Sequence, residues 1–190
     1  MELLILFGLI LMNGVFAMSE MAVVSSRKAR LQHLADDGHR GAKVALRLAQ
    51  EPSSFLATIQ VGITVIGITS GAFGEATLAR DLSAWLSQWP LFDRYSNAIA
   101  VAIVISGITL ASLIFGELVP KRLALINAEA VASLVARPMR ALSQVAYPLV
   151  RSLAAMTDGV LRLLGLHART EPPVTEEEIK VLMEQGAEAG

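Results

Sequence analysis

Two acidic residues sit where an apolar chain tolerates them least. Glu20 interrupts the run LMNGVFAMSEMAVV, and Glu117 closes the run SLIFGELVPKR just ahead of Pro120, Lys121 and Arg122. Ionisable groups in membrane-compatible sequence are costly and mark ion or proton pathways. Proline has no N–H, so in a helix Pro120 frees the carbonyl of Gly116, beside the Glu117 carboxylate, and is expected to break the helix there. Carbonyl, carboxylate, hydroxyl and amide oxygens are the donors that hard cations such as Mg²⁺ prefer, with waters completing the shell. Ser19, Ser25 and Ser112 bring hydroxyls to the same two runs, and Gln60 and Thr64 bring an amide and a hydroxyl from a third. Cation binding is the chemistry these types can do together, with Ser19, Glu20, Ser25, Gln60, Thr64, Gly116 and Glu117 as the candidate residues. The competing reading pairs Glu117 with Lys121 at i,i+4 and makes the motif a helix end only.

Three uncharged runs must position these groups: residues 3–19, 52–74 and 95–116. Crossing the hydrocarbon takes about 20 apolar residues. The first run reaches that length only if Glu20 is held inside. It carries Glu2 where a signal peptide would be basic, and it exceeds the usual apolar stretch of such a peptide, so a retained span is expected. The whole chain is 54% hydrophobic and 17% charged, against about 25% charged for soluble domains. An all-α membrane protein follows, with spans at about 3–25, 53–75 and 96–119 and interfacial helices at about 27–50 and 121–166. At about 1.5 Å per residue, Glu20 and Gln60 lie roughly 10 Å, and Glu117 about 5 Å, from the same membrane face. An oxygen-lined cavity open to that face avoids burying bare charge.

Charge sets the direction. The segment 25–51 holds Arg27, Lys28, Arg30, Arg40, Lys43 and Arg47, whereas 75–94 holds only Arg80 and Arg94. Lys121, Arg122, Arg137 and Arg140 follow the third run. Basic loops stay inside, so the N-terminus is expected outside and the C-terminus in the cytoplasm. Arg151, Asp158, Arg162, Pro138 and Pro148 argue against a fourth span and for amphipathic interfacial helices. Gly67 and Gly71 in GITSG place small residues on one face of the second span, suited to a homodimer contact or to packing within the chain. Beyond Pro172 and Pro173, residues 171–190 read as a linker and a short acidic helix opened by a Thr175/Glu178 capping box.

Other chemistries are excluded. The chain has no cysteine, and His33, His39 and His167 lack metal-site spacing. No phosphate loop or nucleophile–base pair appears, so no enzyme and no cofactor is expected. A net charge of −1 suggests no nucleic-acid partner.

NGVFAMSEMAVVSSRKARL, FLATIQVGITVIGITSGAFGE, SLIFGELVPKR and VTEEEIKVLMEQG together resemble the CorC/cyclin-M (CNNM) family across essentially the whole chain. The resemblance implies a dimeric three-span domain in the bacterial inner membrane, belted by juxtamembrane helices and followed by cytoplasmic CBS domains. It also implies transport of Mg²⁺ or another divalent cation, with export the expected direction, through a cavity facing the cytoplasm. Carried over by position, Ser19, Glu20, Ser25, Gly116 and Glu117 match, and Ser19, Gly116 and Glu117 are the implied metal ligands. Two departures remove oxygen donors: Ile63 stands where the pattern has asparagine, and Ala17 where it often has serine. The variant QVGIT…GITSGAFG is similar to a bacterial hemolysin-like subgroup that includes proteins implicated in polyamine export. A non-transporting membrane sensor is the alternative of another class.

Overall fold

The computed structural model describes residues 1–165, and among them every regular element is helical. The helices are α1 (Glu2–Ser25), α2 (Lys28–Asp36), α3 (Arg40–Gln50), α4 (Pro52–Gly74), α5 (Arg80–Leu86), α6 (Ser96–Leu113), α7 (Val119–Ile126) and α8 (Ala128–Leu163). The expected linker and acidic helix at 171–190 lie outside the described residues. The chain divides into two compact units, residues 1–151 and 152–190, and everything functional below lies in the first.

Three helical runs are long and apolar enough to cross a membrane: Glu2–Ser25, Pro52–Leu86 and Asp93–Ile126. The second and third outrun the expected spans because α4 flows into α5, and α6 into α7, through single π-helical turns at Glu75–Ala79 and Ile114–Leu118. Pro120 therefore does not break its helix. A π-turn shifts the backbone bonds to i→i+5, so the residue without an N–H is absorbed at the first turn of α7, where proline is tolerated.

Glycines let the spans approach closely. A Cβ on Gly14 of α1 would stand 3.0 Å from the Phe115 carbonyl oxygen and 3.0 Å from Cγ of Pro120. One on Gly62 of α4 would meet the Phe16 ring at 3.1 Å, and one on Gly74 would collide with Ile108 of α6.

The larger core forms at one end of the bundle, where α1 finishes and α4 begins. Leu31, Ala42, Ala45, Phe55, Ile59, Ala132 and Ala136 are buried there together with Val23. Ala42, Ala45, Leu46 and Ala49 recur at helical spacing and give α3 its buried face. Gly41 lies so close to the Ser133 carbonyl that no Cβ fits, which seats α3 on α8. Between α2 and α3, Gly38 takes φ +89°, His39 N–H donates to Leu34 O at 3.0 Å, and Gly38 N–H donates to Ala35 O at 3.2 Å. That pattern is a Schellman cap, and glycine is the residue that enters its left-handed position without strain.

The last helix of the described residues, α8, departs from expectation. Pro138 and Pro148 were expected to divide 121–166 into separate helices, yet α8 keeps both inside one run. Packing of Ala132, Val135, Ala136 and Met139 into the core favours continuity, and tertiary burial contributes more to helix stability than local propensity does. Buried Glu129 in its first turn accepts the Arg27 N–H at 3.3 Å and lies 3.9 Å from Arg30. The carboxylate thus faces two helix N-termini, those of α2 and α8, where negative charge is favoured.

Candidate cation site

Asn13, Ala17 and Glu20 follow one another at i, i+4 and i+7, so they share a face of α1. Opposite them the third span presents the π-turn Ile114–Leu118. Gly14 and Gly116, both without side chains, bring the two backbones together. At that approach the Asn13 side-chain N–H donates to the Gly116 carbonyl at 3.0 Å. The acceptor that Pro120 was expected to free is thus met by an amide from another helix.

The other end of the Asn13 amide has no such partner. Its Oδ1 is buried and makes no hydrogen bond within the protein. Beside it a cavity of about 200 Å³ opens between α1, α4 and α6, lined by Asn13, Gly67, Gly71, Thr109, Ser112 and Glu117, with apolar Ile105, Ile108 and Leu113. Its polar donors are oxygen-bearing side chains, and Glu117 is its single charge. At roughly 30 Å³ per water, the volume holds about six waters, or a partly hydrated ion.

Below the cavity the two acidic residues share one cation. The Lys121 ammonium lies 2.9 Å from Glu117 Oε1 and 3.7 Å from Glu20 Oε2. The side chains of Lys121, Glu20 and Glu117 keep 28%, 29% and 43% of their exposure, so all three reach the surface of this unit. Two carboxylates against one ammonium leave the cluster with an excess negative charge.

The remaining candidates are dispersed. Ser19 is fully buried and donates to Val15 O at 2.6 Å within its own helix. The Ser25 hydroxyl is 3.2 Å from Met21 Sδ. Thr64 donates to Gln60 O at 2.8 Å, and both residues are exposed on α4 without lining the cavity. Gly67 and Gly71 have nothing within 4 Å of where a Cβ would stand, so no other helix of the described chain packs on them. They form a wall of the cavity instead. Among the described residues no group of three or more His, Cys, Asp or Glu could hold a metal ion.

Sequence reasoning missed Asn13 and Thr109. The signal for Asn13 was present, since it is the first polar side chain of its run and shares a face with Glu20. Nothing in the local sequence separates Thr109 from the other hydroxyls of the apolar runs.

Residues 4–190 match the cyclin M transmembrane N-terminal domain. The chain belongs to the CNNM family. It is 47% identical over its full length to a UPF0053 protein of Synechocystis sp.. Similarity to the polyamine export proteins of Salmonella typhimurium and Escherichia coli K12 also covers the full length, at 31% and 30% identity. The chain spans 42% of the length of each of these relatives. The CNNM domain is thus an all-α membrane domain, with three helical runs long enough to span.

Proposed function

We propose that this CNNM domain is the membrane part of a cation exporter and that its cargo is a linear polyammonium ion such as putrescine or cadaverine. One observation carries the reading: a primary alkylammonium, that of Lys121, already bridges Glu20 and Glu117. A second ammonium of the same chemistry can take its place, and the cavity beyond Glu117 is lined by the polar residues Asn13, Thr109 and Ser112, which can serve the rest of the cargo. The names of the relatives from Salmonella and Escherichia coli agree with that class. Mg²⁺ is the second reading, favoured by the all-oxygen polar lining and by room for waters, since Mg²⁺ retains several waters beside one or two carboxylates.

Purified protein in proteoliposomes loaded with labelled putrescine or with Mg²⁺ tests both. Putrescine efflux from the wild type, reduced about tenfold or more in Glu117→Gln, is the expected result. Mg²⁺ efflux without putrescine efflux would exchange the cargo. Unchanged efflux in the variant would remove Glu117 from the pathway. Movement of neither ion would favour a sensor.

A further inference from the structure

A second polar cavity, of about 550 Å³, opens where α3 ends, α4 begins and α8 passes. Arg47 from the last turn of α3 and Arg140 from α8 line it, as do Ser143, Gln144 and Tyr147. Neither arginine is ion-paired among the described residues, and with Glu51 also in the lining the cavity keeps an excess positive charge. The Ser143 hydroxyl is buried and has no hydrogen-bond partner in the protein. α4 starts here with Pro52 in its first turn and no side-chain cap, so the first N–H groups of a 23-residue helix remain unmatched.

Two guanidinium groups, an orphan hydroxyl, a phenol, a side-chain amide and an uncapped helix N-terminus are donors in search of oxygen acceptors. Phosphate answers all of them: arginine binds it in bidentate fashion, and helix N-termini favour anions. The position selects the source. Pro52 opens the second membrane-length run, so the cavity stands where hydrocarbon gives way to headgroups. Basic pockets between helices at that depth take anionic lipid headgroups. We propose that the Arg47–Arg140–Ser143 cavity binds the phosphate of an anionic phospholipid, which staples α3 and α8 to the start of α4. This site is separate from the Glu20–Lys121–Glu117 cluster and does not depend on the cargo.

Native mass spectrometry of the purified protein, titrated with dioleoylphosphatidylglycerol in detergent, tests it. The wild type should retain the lipid, with apparent affinity about tenfold lower in Arg47→Gln and in Arg140→Gln and about threefold lower in Ser143→Ala. Arg137→Gln, on the same helix but outside the cavity, should change it less than twofold. Arg47 is exposed, so its variant serves even if Arg140→Gln does not fold. An equal loss in Arg137→Gln would reduce the effect to diffuse attraction and overturn the site. Displacement of the lipid by millimolar glycerol 1-phosphate would assign the cavity to a soluble phosphate and overturn the lipid source. No retention by the wild type would overturn both.

Discussion

A lysine between two carboxylates can act as a strut or as a tethered competitor, and the two roles predict opposite results. As a strut, Lys121 would hold Glu20 and Glu117 in position for cargo, and its loss would weaken binding. As a competitor, it fills the site that an incoming ammonium needs. The excess negative charge of the cluster and the partial exposure of all three side chains favour the second role. Lys121→Gln should therefore raise putrescine affinity about tenfold, the scale of one hydrogen-bonded charge contact. Calorimetric titration of the purified variant measures it directly, and weaker binding would make Lys121 the strut. The two acids were legible in the sequence because charge inside apolar runs is conspicuous. That Lys121 would serve both was not, since i,i+4 spacing reveals only its link to Glu117. The hydroxyls of Ser19 and Thr64 misled for a physical reason. In an apolar helix a hydroxyl meets its hydrogen-bonding need on the carbonyl four residues earlier, as both do here.

The element that shapes the site is the π-turn at Ile114–Leu118, and it has a counterpart. Phe73-Gly74-Glu75 in the second span and Phe115-Gly116-Glu117 in the third each run into or through such a turn. In both places the glycine admits a neighbouring helix, α6 at Gly74 and α1 at Gly116. The three apolar runs were readable from composition. The continuity through Pro120 was not readable, because a proline signals a lost N–H without saying whether the helix stops or re-registers. Asn13 meets the Gly116 carbonyl from outside the helix. Pro120→Ala restores the donor and permits an ordinary α-helical register, turning Glu117 by about 100° relative to the residues beyond it. The melting temperature of that variant should stay within a few degrees of wild type, while putrescine efflux falls about tenfold. Wild-type efflux from a stable Pro120→Ala protein would show that the π-turn is dispensable.

Across the whole first unit, charge and packing describe the same end of the bundle. Arg27, Lys28, Arg30, Arg40, Lys43 and Arg47 belong to α2, α3 and the turn before them, and Arg137 and Arg140 to α8. The core cluster joins these three helices through Leu31, Ala42, Ala45, Ala132 and Ala136, and buried Glu129 ties α8 to the start of α2. The basic residues thus form one packed belt, and the bias of basic residues toward the cytoplasmic side predicts that it faces the cytoplasm. The opposite end carries Arg80 and Arg94, with Trp85 and Trp89 edge to face at 6.3 Å, suited to an outer membrane–water boundary. The chain lacks cysteine, so single introduced thiols report orientation cleanly. Both Gln32 and Ser87 are exposed, one on α2 and the other beyond α5. Ser87→Cys should react with a membrane-impermeant maleimide on intact cells, and Gln32→Cys only after the membrane is permeabilised. The reverse pattern would put the Glu20–Lys121–Glu117 cluster on the outer face. An exporter loads its cargo from the cytoplasm, so that result would leave the cluster a release site at most.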